Sequence, residues 1–550
     1  MLDDVEPGQD ALRLSGGIVA DVAAGALRRA DVLIDGDRIV AVGEDLPAAE
    51  AITLDVRGRV IVPGYIEPHT HFSVVNPRVL AGALLRTGTT TAVVDALPLM
   101  ALARRERLPA LLEHLAALPL RIRHLIRLTP QAFSDEERFA LEEVRRLWRL
   151  PSAAAVGEVT RWVDVLRGDP DLLAKIRAAR EDGRRVEGHA PGASYERLAA
   201  LAAAGVTSCH EAISAAEVED RLRAGLVPML RHSPIRPDLP QLLEAVRGRP
   251  EAMALAMFTV DGPTPLFVAQ HGYLDHLMRI ALRSGLPPMA VLRMATLNPA
   301  RYFGFHDLGE IAPDRRADLN VLADLGEPTP LLTIARGRLV ARDGALLERF
   351  DPLPLEDDLE PAAIPRLPAA VFARTPLPGA ELRLVNDVIT EAIPPAEGSQ
   401  GGLLAALLDG RGRWITRARL HGFAEPLGGL ATTYCSSFGD VLVLGDSAAD
   451  MAAALNRLAD DGGGVVVVEG GRELLRWPFE DRIYARMSWD QAVDAAHRFD
   501  SVVRSRGYRF RDPLFTLLFL SFDSLPWIRL TSRGVWDVRA QRALVPAEGV

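Results

Sequence analysis

The chain has 550 residues, 48% hydrophobic and 25% charged, which is ordinary for a folded protein with a large core and leaves room for about three to four domains. A net charge of −10 and an aromatic content of 6% exclude the basic footprint and stacking surface of a nucleic-acid binder, and offer no basic patch to an anionic membrane. Two cysteines, Cys209 and Cys435, are too few for a disulfide framework, and the acidic start Met1-Leu2-Asp3-Asp4-Val5-Glu6 lacks the apolar run of a signal peptide, so a cytoplasmic protein is expected.

Residues 1–60 read as the first part of a small β-module, with short alternating strands at Leu12-Arg13-Leu14, Ala30 to Ile34 and Arg38 to Val42. Asp35-Gly36-Asp37 is a hairpin signal between the last two. The run Val60-Ile61-Val62-Pro63-Gly64-Tyr65-Ile66-Glu67-Pro68-His69-Thr70-His71 reads as one buried strand ending in two histidines. Residues i and i+2 of a strand share a face, so His69 and His71 would present two imidazoles to one point, as a transition-metal site requires. Twelve histidines make an H-x-H pair unremarkable alone; its place at the C-terminal end of a strand gives it weight.

From 61 to 305 short apolar strands alternate with helical patterns. Strands are predicted at Thr91 to Val94, Ala153 to Val156, Arg185 to Gly188, Gly205 to Ser208 and Ala254 to Phe258, and helices at Asp171 to Glu181, Tyr195 to Ala204, Ala216 to Ala224, Leu239 to Val246 and Pro265 to Ser284. This is the pattern of an α/β protein with a parallel sheet, best met by a (β/α)₈ barrel of the TIM type; a doubly wound open sheet is the alternative, without a glycine-rich phosphate loop to support it. Residues 306–350 return to β elements such as Asp318 to Leu322 and read as the second part of the β-module, making a small sandwich from both flanks. Residues 351–379, rich in Pro and acidic residues, read as a linker. Residues 380–550 read as an additional α+β domain, with a helix at Ser447 to Asp460, a buried strand at Gly464 to Val468, and an apolar stretch from Leu514 to Leu530. Asp523 and Pro526 interrupt that stretch, so it reads as core and not as a membrane span.

Further polar residues stand where strand patterns stop: Glu158, His189, His210 with Glu211, and Asp261. Singly, Glu158 reads as a loop carboxylate, His189 and Asp261 as turn residues, and His210 as a helix start. Jointly with His69 and His71, the residues Glu158, His189, His210 and Asp261 put four histidines and two carboxylates at one barrel mouth, a set that holds one or two divalent ions, activates water and moves protons. His114, His124, His276 and His497 lie in helical, charged surroundings and read as structural or surface residues. His232 and His271 stay undecided.

These residues resemble the amidohydrolase superfamily, and within it the adenine deaminase family. Val62 to His71 is similar to the strand-one metal motif, Gly157-Glu158 to the site of a metal-bridging glutamate, and Glu187-Gly188-His189-Ala190-Pro191-Gly192 and Ser208-Cys209-His210-Glu211 to the next two ligand motifs. Asn298-Pro299-Ala300-Arg301 and Gly309-Glu310-Ile311-Ala312 resemble the return to the β-module, and Asp461 to Gly464 and Arg529 to Asp537 resemble the family's C-terminal domain. The resemblance implies a binuclear site of Mn, Fe or Zn with His69, His71, Glu158, His189, His210 and Asp261 around it, Asp261 shuttling the proton, and a small-molecule substrate losing ammonia. It also departs from the family. Ile-Glu-Ser-Ser becomes Phe72-Ser73-Val74-Val75, Asp-Pro-His-Glu becomes Asp95-Ala96-Leu97-Pro98, and Arg-Glu-Gly-Ser becomes Arg231-His232-Ser233-Pro234. Thr-Asp-Asp becomes Thr259-Val260-Asp261, and His-Asp-Ser-His becomes Ser436-Ser437-Phe438-Gly439. Three functions stay open: an adenine-deaminase-like hydrolase, an amidohydrolase for another C–N substrate such as a cyclic amide, ureide or N-acyl compound, and a non-catalytic scaffold of this fold. An acidic enzyme of this size points to a homo-oligomer.

Overall fold

At Gly64 the chain leaves one sheet and enters another. The computed structural model describes residues 11–47, 51–131, 136–374, 380–393 and 401–550; the acidic start and the last five residues of the expected linker lie outside them. Val60–Pro63 belongs to a nine-stranded sheet, parallel to Ala11–Asp21 and antiparallel to Leu319–Leu322. It therefore joins strands from both flanks of the barrel. Val60 to His71 is thus two strands, not the one expected from the apolar run. A Cβ at Gly64 would lie 2.1 Å from Thr90 Oγ1, so the crossing needs glycine.

The second sheet has eight strands in spatial order equal to chain order: Tyr65–Thr70 (β1), Thr89–Asp95 (β2), Arg121–Ile126 (β3), Ala153–Val159 (β4), Val186–Gly188 (β5), Ser208–Cys209 (β6), Val227–Arg231 (β7) and Met257–Thr259 (β8). All neighbouring pairs are parallel. The sheet closes on itself where Thr70 pairs with Asp261 and the His71 N–H donates to Asp261 O at 3.1 Å. This is the (β/α)₈ barrel expected from the alternation. Strands β3 and β7 were not expected: Arg121-Ile122-Arg123-His124 and Val227-Pro228 break the apolar pattern with charge and proline. His124 consequently lies on a strand, buried, with its Nε2 2.9 Å from Leu112 O, and not in the helical surroundings read from sequence.

Other boundaries move for local reasons. The stretch from Ala254 is not all strand: Pro250–Leu255 is helix and β8 starts at Met257. Helix Pro265 to Ser284 is two helices, Pro265–His271 and Leu274–Arg283, broken at Gly272, whose φ of +91° suits glycine. Leu239 to Val246 is a short helix, Leu239–Leu242, continued by a 3₁₀ turn, Leu243–Ala245. The strand from Gly205 shortens to Ser208–Cys209.

The stretch after the barrel is pinned and not free. Asn76 Nδ2 donates to Leu353 O at 2.9 Å, and Arg104 N–H donates to Asp358 O at 2.8 Å. Beyond it a third sheet, also nine-stranded, contains Gly464–Glu469. Helix Ala448–Asp461 packs beside it, capped by Ser447, as the Ser-x-x-Asp pattern directs. Tyr484–Ala485 pairs with Val74–Val75, just after His71, so this C-terminal unit docks on the mouth of the barrel.

Candidate metal centre

Every barrel strand delivers a polar side chain to the mouth. β1 brings His69 and His71, β2 Asp95, β4 Glu158, β5 Glu187 and His189, β6 His210 and Glu211. β7 ends in Arg231, β3 is followed by Arg127, and Asp261 follows β8. Parallel strands in a closed barrel end on one face, so residues distant in sequence converge.

All six residues expected from sequence come together, in two nests. In the first, His69 Nε2 and His71 Nε2 are 3.1 Å apart and lie 3.4 Å and 3.2 Å from Asp261 Oδ1, with Glu158 Oε2 3.8 Å from His71 Nε2. In the second, His189 Nδ1 and His210 Nε2 are 3.3 Å apart, and Glu158 Oε1 contacts both, 3.4 Å from His210. Glu158 thus offers one oxygen to each nest. Of Thr259-Val260-Asp261, it is Asp261 that reaches the first nest. Its φ is +67°, a sparsely populated conformation that Asp tolerates and that functional sites retain. Gly157, with φ +117° and a Cβ position 2.3 Å from Glu187 O, lets β4 press against β5 and bring Glu158 inward.

Two arginines hold the carboxylates: Arg127, which sequence reasoning missed, and Arg231, which it met in a motif without assigning a role. Arg127 Nη2 donates to Asp95 Oδ2 at 2.7 Å and Glu158 Oε2 at 2.6 Å. Arg231 Nη1 donates to Glu211 and, at 2.8 Å, to Asp261 Oδ2. Burial raises all four acids, but the guanidiniums and imidazoles outweigh it. Asp95 is held at about 2, and Glu158, Asp261 and Glu211 are held below the usual range. The site therefore keeps its carboxylates ionised. Asp95 Oδ2 also sits 3.2 Å from His71 Nδ1. The undecided His232 and His271 are outside the nests; they cluster around Phe267 with His276, His271 stacked on His276 at 5.1 Å between ring centroids and His232 edge-on to it at 5.3 Å.

The sequence model of the amidohydrolase family matches residues 60–340, and that of the adenine deaminase C-terminal domain matches residues 386–542. A Halalkalibacterium halodurans protein provisionally named an adenine deaminase is 35% identical over 536 residues, covering 94% of this chain and 92% of its own. The adenine deaminase of Cereibacter sphaeroides is 33% identical over 557 residues, covering 96% and 95%. The chain belongs to the amidohydrolase family. It is a hydrolase of C–N bonds, and the family implies a divalent metal.

The residues of this amidohydrolase fit such a metal. Two ligands on one tetrahedral ion bound at ~2.1 Å lie roughly 3.4 Å apart, and most nest distances fall near that edge. The donors are imidazole nitrogens and carboxylate oxygens, which suit borderline divalent ions. In each nest two imidazole nitrogens face each other, at 3.1 Å and 3.3 Å, an arrangement that a shared cation satisfies on both sides and a single proton does not.

Above the nests lies a cavity with two unlike walls. The barrel contributes His71, Asp95, Arg127, Glu158 and Asp261, while the C-terminal unit contributes Tyr434, Phe438, Phe515, Phe519 and Phe522. Phe515 and Phe519 come from helix Pro513–Phe519, inside the stretch read as core. Phe515 seats against Gly262, where a Cβ would lie 2.8 Å from its Cζ. The ring of Phe522 meets that of His189 edge-on at 6.1 Å. Among the described residues, no helix is long and apolar enough to cross a membrane.

Proposed function

We propose that this amidohydrolase is a hydrolytic deaminase of adenine, converting adenine and water to hypoxanthine and ammonia. The observation that carries the reading is Glu158, one carboxylate facing two histidine nests at a barrel mouth, in a chain whose curated relatives named for adenine deamination match it nearly end to end. The proposed cofactor is one or two divalent ions of the Mn, Fe or Zn type. His69, His71 and Asp261 would hold one, His189 and His210 the other, and Glu158 would join them. When bound, such ions supply a water acidic enough to act as a nucleophile near neutral pH.

The chain's own groups do the rest. Arg231 holds Asp261 Oδ2, which fixes the carboxylate and leaves Oδ1 toward the nests. From there Asp261 takes a proton from the attacking water and returns it to the leaving nitrogen. The phenylalanine wall confines a flat substrate over the nests and excludes bulk water. A cytoplasmic homo-oligomer is proposed for the working form, with light scattering on the purified chain as its test.

A second reading keeps the chemistry and changes the C–N substrate. It is favoured by where the departures from the family fall: Ser73, Leu97, Pro98, Ser233, Ser436 and Phe438 all line this cavity. The test is ammonia release from adenine by protein loaded in turn with Mn, Fe and Zn. Turnover supports the first reading. Turnover only of cyclic amides, ureides or N-acyl compounds moves the assignment to the second. A folded protein that takes up no metal and turns over nothing would leave a scaffold.

A further inference from the structure

Glu187 has no role in the mechanism above, yet it is among the most buried acids of the molecule. It sits on β5, fully enclosed, below the two nests. Its Oε1 lies 2.7 Å from His69 Nδ1 and 3.4 Å from His210 Nδ1. Those two rings stack face to face, centroids 4.2 Å apart and planes within 17°. No arginine or lysine pairs with Glu187 among the described residues, and neither of its oxygens has a well-angled hydrogen-bond donor. An ionised carboxylate enclosed in this way is costly unless N–H groups meet it. Among the described residues, the groups placed to do so are the Nδ1 atoms of His69 and His210.

We propose that Glu187 is the positioning residue that joins the two nests, accepting Nδ1–H from both His69 and His210 and so turning both Nε2 lone pairs toward the cations. This rests on the metal reading given above. A neutral imidazole carries one proton, so placing it on Nδ1 leaves Nε2 as the donor to a metal. His69 Nε2 lies in the first nest and His210 Nε2 in the second, so one carboxylate sets the tautomer on both sides. His71 shows the same device separately: its Nδ1 is backed by Asp95, itself held by Arg127. Glu187 stands apart from the nest ligands because its Oε1 faces the Nδ1 edges of His69 and His210, away from the Nε2 atoms that meet in the nests.

The test is metal binding, read independently of turnover. Full-length wild type, Glu187→Gln, Glu187→Asp and Asp95→Asn are loaded with Zn. Ions per chain are counted by mass spectrometry, and loss to a chelator is timed. Glu187→Gln is expected to weaken retention of both ions by about 10–100-fold, the usual consequence of removing the carboxylate behind a ligating histidine. Asp95→Asn is expected to weaken only one. Glu187→Asp keeps the charge and shortens the reach, so it should fold and show a smaller loss in both; it carries the test if Glu187→Gln does not fold. Melting of the metal-stripped proteins separates a merely structural role, which would lower the melting temperature and leave metal retention unchanged. Glu187 variants that hold both ions like wild type overturn this inference alone. A wild-type chain that takes up no ion overturns the proposed function as well.

Discussion

The cavity has a floor and a roof built on opposite principles. The floor, at the barrel strand ends, is a closed set of charges in which Arg127 holds Asp95 and Glu158, and Arg231 holds Glu211 and Asp261. The roof, from the C-terminal unit, is a set of rings, with Phe515 and Phe519 stacked at 5.8 Å and Phe519 against Phe522 at 5.8 Å. The floor keeps the histidines and acids of the nests, while the residues that depart from the family's motifs stand around them in both walls, Ser73, Leu97, Pro98 and Ser233 from the barrel and Ser436 and Phe438 from the C-terminal unit. The contrast assigns chemistry to the floor and selection to the roof, since reacting groups tolerate little displacement while an apolar wall can be recut to a new substrate.

The sharpest way to break this division is at the floor's reacting groups. Asp261→Asn is expected to lower kcat by about 10²–10⁴-fold, as loss of a proton-transfer group does, with the fold intact by circular dichroism. His69→Ala should abolish turnover and cost metal content. Retained kcat in Asp261→Asn would end its assigned role. Next comes Arg127→Ala, which leaves Asp95 and Glu158 buried without their cation. Breaking a buried charge pair costs about 3–5 kcal/mol, to be read by urea denaturation; an unchanged midpoint would show that the floor does not depend on it.

The roof should respond in binding. Phe522→Ala is expected to raise KM about tenfold at nearly constant kcat, since stacking on an aromatic ring contributes about 1–3 kcal/mol per base. A fall in kcat without a change in KM would place chemistry in the roof. The smallest effect lies behind the roof, at Asp440, where burial together with nearby Asp409 raises the carboxyl from 3.8 to about 7, against the pull of Ser437. Between those values the native state keeps a proton that the unfolded chain has lost, so the contribution of Asp440 to stability falls as pH rises through this window. Asp440→Asn removes that slope. It should stabilise the protein by about 1–2 kcal/mol at pH ~8 and not at pH ~4, read as melting temperature against pH. Equal shifts at both pH values would refute it.

Sequence alone carried the barrel and the six nest residues, because both rest on local regularities. Strands alternating with helices dictate a parallel sheet, and the i, i+2 geometry of a strand pairs His69 with His71. It did not carry β3 and β7, whose charges and proline hide the strand pattern, and so it missed Arg127 and gave Arg231, in view inside a motif, no role as a counter-charge of the floor. Glu187 was in view inside a matching motif, but its neighbours His69 and His210 come from β1 and β6, and only barrel closure brings them to it. The stretch from Leu514 to Leu530 shows the same limit. Hydrophobicity says that a segment leaves water, whereas what it is buried against, a core or a catalytic cavity, is a long-range contact that only the tertiary structure decides.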